Sequence, residues 1–113
     1  MTTSEVSFIV MMTTLPNFGD ANQIAKTLVE EKLAACVQIL PSMLSTYIWE
    51  DQVCQSNEHL LLIKTLEVNC EIVMERLRTL HHYDTPEIIS LPIMAIAPNY
   101  GDWIWNICSK AAR

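Results

Sequence analysis

Residues 34–65, with the sequence AACVQILPSMLSTYIWEDQVCQSNEHLLLIKT, decide the fold of this chain. They read as two extended segments, one that ends at Tyr47 and Trp49 and an apolar one over 59–63. A polar turn over about 50–57 is predicted between them. Successive residues of a strand point to opposite faces, so an unbroken apolar run puts apolar side chains on both faces of a sheet. Both faces of this sheet therefore need cover.

The rest of the chain supplies the elements that surround this segment. The pattern first predicts a strand over 6–12 and a helix capped by Asp20, with Gln23 three residues later. A long strand follows from about 35 and bends at Pro41, and the hairpin and its apolar strand come next. The chain then continues with a helix that begins near Asn69, a loop over 81–86, a strand over 88–96 and a short helix capped by Asn99. Pro92 places the last strand at an edge or marks a bulge, because proline cannot donate to a central ladder.

This order predicts an α+β fold. It is βαββαβ with a C-terminal helix, the ferredoxin-like arrangement of two helices against a four-stranded antiparallel sheet. Two helices cover only one face of such a sheet. The apolar side chains of the other face need a partner, and a second copy of the chain would supply it. We therefore expect an oligomer.

Length and composition narrow the class of protein. The 113 residues suit a single domain over 1–113, and half of them are hydrophobic, which argues against disorder. No apolar run approaches the roughly 20 residues that a membrane span needs. The first twelve residues contain Glu5 and no basic region, so no secretory signal is predicted and a cytoplasmic location is expected.

Charge and residue types exclude several functions. Thirteen acidic residues against seven basic ones leave no basic footprint for nucleic acid. The four cysteines show no C-x-x-C spacing, so free thiols are expected and a structural zinc site is not. With two glycines there is no phosphate-binding loop, and no nucleophile motif is present. The chain is predicted not to be an enzyme.

The candidate metal ligands lie in and near the loop after the second predicted helix. His81 and His82 are adjacent there, and Glu87 follows. Imidazole suits copper and zinc, and a thioether favours Cu(I), so a site that combines a histidine with Met12 or Glu87 is chemically consistent. Two structural roles compete with this one. A histidine at a helix C-terminus can cap free carbonyl groups, and a methionine in an apolar strand can simply fill the core.

Several segments in the same order resemble the CutA family of divalent-cation tolerance proteins. They are EKLAACVQILP (31–41), YIWE (47–50), LIKT (62–65), HHYDTPE (81–87) and the late Tyr100 with Trp103 and Ile104. The resemblance implies a ferredoxin-like homotrimer in which strands of neighbouring subunits pair, and a role in tolerance to copper and other divalent ions. It carries over both His81 and His82, and it places Met12 where some members have a cysteine discussed as a copper ligand. The expected metal ligands are therefore His81, His82, Met12 and Glu87, in a non-catalytic protein.

Two other functions remain open from the sequence. The chain could be a small-molecule effector trimer similar to the PII proteins, with Lys64, Tyr83, Glu87 and Trp103 around a pocket between subunits. It could also be a structural protein that holds a partner in trimeric form. A response to metabolites would distinguish the first, and co-purification of a partner the second.

Overall fold

The structure is a computed structural model that describes residues 6–111. Its elements are β1 (Phe8–Leu15), α1 (Phe18–Glu30), β2 (Cys36–Ile39), β3 (Met43–Trp49), β4 (Gln52–Leu66), α2 (Cys70–Leu80), β5 (Ile88–Pro92) and α3 (Pro98–Cys108), with a 3-10 turn (Glu67–Asn69) before α2. The predicted domain, 1–113, extends beyond the described residues at both ends. The expectation about a secretory signal falls partly on residues 1–5, which lie outside them.

The sheet is antiparallel throughout, as predicted. Its strands run in the order β2, β4, β1, β5, and β3 pairs with β4 beyond the end of β2. The predicted bend at Pro41 is confirmed, because residues 40–42 separate β2 from β3 while both pair with the same long strand. The edge position predicted for β5 is also confirmed. That strand ends at Pro92 rather than at residue 96, as expected for a residue without an N–H to donate.

One face of the sheet packs against α1 and α2 and forms the larger core. Met11 on β1 lies directly opposite Ile63 on β4, and both side chains are fully buried. The apolar residues of this core come from two strands and from one stripe of each helix: Ile9, Met11, Leu15, Leu61 and Ile63 from the sheet, and Ile24, Leu28, Val73 and Leu77 from the helices. The helical residues recur at a spacing that places them on one face of each helix.

Among the described residues, the opposite face of the sheet is covered only at one end. There α3 packs Ile104 and Cys108 onto Phe8 and Leu66. The middle of this face carries further apolar side chains, which the register places side by side because Met12 lies opposite both Leu62 and Ile89. They are half-buried or exposed: Val10, Met12, Leu60, Leu62, Ile89 and Leu91. We call these six residues the open face. One short helix cannot cover a sheet of this width.

The hairpin of β3 and β4 projects from the sheet as an arm. Along β3 the two strands pair only with each other, and the molecule measures 49 × 25 × 23 Å. The exposed side chains of the arm include several large apolar ones: Leu44, Tyr47, Ile48, Trp49 and Val53. An isolated two-stranded hairpin is marginally stable in water. The arm is therefore a second surface that the described part of the chain, residues 6–111, leaves uncovered.

Two local predictions are wrong. The polar turn expected over 50–57 is only two residues long, since β4 already begins at Gln52. Glu50 and Asp51 both have positive φ, 50° and 62°, as a tight two-residue hairpin turn requires. The N-cap of α1 is Asn17 rather than Asp20, because the helix begins earlier; the Asn17 side chain accepts a hydrogen bond from the Asp20 N–H at 2.8 Å.

The N-cap predicted for α3 is also wrong, by two residues. The helix begins at Pro98, so Ala97 and not Asn99 occupies the N-cap position. Proline suits the first turn of a helix because its missing N–H would have no partner there.

Replacing Leu61 by aspartate tests the larger core. Leu61 is fully buried between the sheet and both helices, so a carboxylate there would lose its hydration without gaining a partner. We expect Leu61→Asp to lower the free energy of unfolding by more than about 4 kcal/mol, measured by urea denaturation. The control is Val68→Asp, at a side chain 63% exposed in the 3-10 turn, which should keep the wild-type midpoint. A stable, well-folded Leu61→Asp protein would contradict this assignment of the core.

Candidate functional site

The loop between α2 and β5 carries most of the residues that the sequence singled out. α2 ends at Leu80, and the His81 N–H donates to the carbonyl oxygen of Leu77 at 2.9 Å. From His81 the chain runs extended rather than helical, and it returns to the sheet at Ile88. The position of His81 at the helix end is the one that the capping alternative required. Its side chain, however, points to other partners.

Both ring nitrogens of His81 form hydrogen bonds within the chain. Nε2 lies 2.8 Å from the carbonyl oxygen of Thr14 on β1, and a carbonyl can only accept, so Nε2 carries the proton. Nδ1 accepts from the backbone N–H of Tyr83 at 3.2 Å. His81 is buried, with only 9% of its surface accessible. His81 therefore fastens the loop to the sheet as a neutral imidazole.

The surroundings of His81 favour this neutral form. Burial lowers the pKa of His81 below its ordinary value of 6.5, the neighbouring His82 lowers it further, and the Thr14 carbonyl, Glu58 and Asp20 oppose the shift. A proton added to Nδ1 would remove the acceptor that the Tyr83 N–H needs. Protonation of His81 and the observed loop conformation therefore exclude each other.

Tyr83 and Glu58 form a second contact of the loop with the sheet. The Tyr83 hydroxyl donates to Oε2 of Glu58 on β4 at 3.0 Å, and its ring packs on His81 with 4.9 Å between the centroids. Burial, together with the hydrogen bond to this carboxylate, raises the pKa of Tyr83 to about 12. The phenol is therefore a donor across the physiological range, and Glu58, which is only 8% exposed, has its partner.

His82 lies on the outside of the same loop. Its side chain is 71% exposed, and Nε2 stands 3.9 Å from Oδ2 of Asp20 in the first turn of α1. The same carboxylate oxygen accepts from Nδ2 of Asn17 at 3.0 Å. Among residues 6–111, no other group forms a hydrogen bond with the His82 imidazole. His82 and Asp20 thus place one nitrogen and one carboxylate within reach of a common ion.

Met12 and Glu87, the other two predicted ligands, occupy different surroundings. Met12 is half-buried in the middle of the open face, opposite Leu62 and Ile89. Glu87 is exposed and immediately precedes β5. Within residues 6–111, no group of three or more histidine, cysteine, aspartate or glutamate side chains lies close enough to hold one metal ion. The four predicted ligands therefore do not form a metal site within one chain.

Two residues near the loop were missed by the sequence analysis as partners. Asp20 was interpreted only as a helix cap and Glu58 was given no role, and neither is close in sequence to its partner, His82 or Tyr83. His82 and Asp20 are 62 positions apart in the sequence, and Tyr83 and Glu58 are 25 positions apart. No spacing rule connects residues at such distances, so only the folded chain shows these contacts.

No helix within residues 6–111 is both long and apolar enough to cross a membrane.

Comparison with known proteins gives consistent matches over most of the chain. A family model described as CutA1 divalent ion tolerance protein matches residues 9–106. The Divalent-cation tolerance protein CutA of Thermus thermophilus is 44% identical over 95 residues, which are 84% of this chain and 92% of that protein. The chloroplastic Protein CutA of Arabidopsis thaliana is 42% identical over 101 residues, 89% of this chain.

Solved structures agree with the fold. The crystal structure of CutA1 from Oryza sativa superposes with a TM-score of 0.90 at 39% identity, and the match covers 94% of this chain and 97% of that one. The chain spans only 56% of the length of the Arabidopsis relative. The matching family is named for ion tolerance and not for an enzyme activity, and these names do not favour the PII-like alternative.

The buried neutral imidazole of His81 predicts a dependence of stability on pH. The unfolded chain takes up a proton near the ordinary pKa of 6.5, whereas the folded chain, with its lowered pKa, resists protonation until the pH is lower. The free energy of unfolding should therefore be fully retained above pH 6.5 and fall as the pH drops below it.

Urea denaturation between about pH 7.5 and 5.5 measures this effect. His81→Gln, which can still donate to the Thr14 carbonyl, should flatten the dependence, and the exposed neighbour His82→Gln should leave it in place. An equally steep decline in wild type and His81→Gln would show that another group is responsible.

Proposed function

Because this chain belongs to the CutA1 divalent ion tolerance protein family, we propose that it acts in tolerance to divalent cations, with copper as the principal ion. The match of the family model over residues 9–106 is the observation that carries this conclusion. In this role the protein is non-catalytic and binds the ion weakly as cargo. Its thirteen acidic and seven basic residues support cations rather than nucleic acid as partners.

The ligand with the strongest support is His82. An imidazole binds a metal through the lone pair of a ring nitrogen, and His82 is exposed with Nε2 directed toward the Asp20 carboxylate. Imidazole and carboxylate together suit copper and zinc, and two donors with water in the remaining positions make a weak site. Asp20 is thus added to the predicted set as the second donor.

The other predicted ligands take different parts in this proposal. His81 has no ring lone pair to spare while it holds Thr14 and Tyr83, so it positions the loop and with it the adjacent His82. Glu87 is an exposed carboxylate that can contribute a further oxygen. Met12 would offer its thioether from the open face, where Cu(I) rather than a divalent ion would be favoured.

The assembly proposed for this protein is a homotrimer with the ferredoxin-like plan. The strand order β2, β4, β1, β5 and the alternation of strands with α1 and α2 support that plan. Two uncovered apolar surfaces, the open face and the β3–β4 arm, support burial against further copies. The free edge of β5 and the arm offer unpaired backbone groups, so strand pairing between subunits is the proposed contact.

The cytoplasm remains the proposed location of this protein, as expected in the sequence analysis. The relative from Arabidopsis is named chloroplastic, so relatives of this chain do not share one compartment.

Copper titration of His82→Ala tests the metal site. Removing the accessible imidazole should weaken Cu²⁺ binding at least about tenfold relative to wild type, since even residues that only orient a ligand change metal affinity by 10- to 100-fold. Isothermal titration calorimetry at constant pH and buffer gives both affinities. Asp20→Asn, which removes the carboxylate charge, should weaken binding in the same direction.

The matched control is His59→Ala. His59 is also an imidazole, but its Nδ1 lies 3.3 Å from the Leu40 carbonyl oxygen and its ring packs on Phe18, so its loss should leave copper affinity unchanged. Glu87→Gln and Met12→Leu then show whether these two predicted ligands contribute. Superimposable isotherms for His82→Ala and wild type would remove His82 from the site.

A further inference from the structure

Lys64 carries a positive charge on the largely apolar open side of the sheet. It lies on β4 opposite Val10 on one side and Cys36 on the other, so its side chain leaves the same face as the open-face residues. The residue is half-buried. Its ammonium group donates to Oε1 of Gln38 on β2 at 2.6 Å and lies 6.0 Å from the centroid of the Tyr100 ring.

Within residues 6–111, no carboxylate lies within ion-pair distance of this ammonium group. Among residues 6–111 the carboxylates in ion pairs are those of Glu31, Glu75 and Asp20, and their partners are Arg76, Arg78 and His82. With thirteen acidic residues against seven basic ones, the chain does not lack carboxylates. A cation that is partly removed from water without an opposite charge is unfavourable, so an anion beside Lys64 would be stabilised.

A second donor stands next to the ammonium group. Gln38 uses its amide oxygen to accept from Lys64, so the amide nitrogen, which is bonded to the same carbon, keeps two N–H groups that can donate. An ammonium and an amide nitrogen side by side match the two oxygens of a carboxylate. The neighbouring Tyr100 is neutral, because burial raises its pKa and the Cys36 thiol raises it further. It therefore adds no competing negative charge.

Two aromatic rings lie beside Lys64 and Gln38. Tyr100 and Trp103 on α3 stack with 5.6 Å between their centroids and 25° between their planes. Both remain partly open to solvent, at 37% and 45% of their surfaces. Exposed stacked rings offer an apolar platform beside the two polar donors.

We propose that Lys64 and Gln38 form a binding site for a carboxylate group, bordered by the rings of Tyr100 and Trp103. The carboxylate can come from a small organic acid in solution or from an aspartate or glutamate of a second copy of the chain. The second source rests on the proposed homotrimer. Neither source depends on the proposed metal site, because Lys64 is not one of its ligands.

Benzoate is the probe for the first source, since it combines a carboxylate with a flat ring. Binding to the 113-residue protein is followed by ¹H–¹⁵N NMR and calorimetry in the presence of EDTA, which excludes any contribution from metal ions. Wild type should show saturable shifts around Lys64, and Lys64→Gln should bind at least about tenfold more weakly, as the loss of a charged hydrogen-bond donor requires. Lys26→Gln, which removes the same charge from an exposed position on α1, should bind as wild type does.

Sedimentation of the same variants tests the second source. If benzoate does not bind but Lys64→Gln dissociates an assembly that Lys26→Gln leaves intact, the carboxylate belongs to a second copy and the site is supported. Lys64→Met, with a neutral side chain of similar length, checks that the result follows the charge and not misfolding, and circular dichroism verifies each fold. Equal benzoate affinity in Lys64→Gln and wild type, or no effect of Lys64→Gln on either binding or assembly, would overturn the proposal.

Discussion

The sheet of this protein carries apolar side chains on both faces, and the remaining structure follows from the need to cover them. Leu61 and Ile63 on one face are fully buried by α1 and α2. Their neighbours Leu60 and Leu62 point the other way, where α3 covers only the end of the sheet. Apolar burial contributes about 25 cal/mol per Å², so covering this face by association would be favourable. In the proposed homotrimer, further copies of the chain would cover this face.

The same sheet also fixes the candidate metal site. The backbone carbonyl of Thr14 on β1 accepts from His81, and Glu58 on β4 accepts from Tyr83, so the loop after α2 is tied to two neighbouring strands. These two contacts leave the adjacent His82 on the surface beside Asp20. One histidine thus has a structural role, and its exposed neighbour is the one that we propose as a metal ligand. Rigid support behind an exposed ligand is what even a weak metal site requires.

Much of the fold was predictable because it depends on local patterns. The apolar run before Lys64 predicts a strand with apolar side chains on both faces, because successive residues of a strand alternate between them. The bend at Pro41 and the edge position of Pro92 follow from the missing N–H of proline. The hairpin turn was not predictable, since neither Glu50 nor Asp51 is the glycine that positive φ favours. The polar residues after that turn are paired in β4, which residue type alone did not indicate.

The site was less predictable than the fold. The sequence identified the loop and both histidines, but it gave no reason to separate them. His81 and His82 differ only through what lies opposite each in space, the Thr14 carbonyl and the Asp20 carboxylate. Both partners are more than sixty residues away, beyond the range of any helix or strand periodicity. Local propensity therefore located the candidate ligands, and tertiary contacts assigned their roles.

The mass of the protein in solution tests the central claim most directly. Sedimentation equilibrium at micromolar concentration should give a single species of three times the 12.9 kDa chain mass, because further copies cover the open face and the hairpin arm. A well-folded species of one chain mass under the same conditions would contradict the account, since the apolar face would then be stable in contact with water.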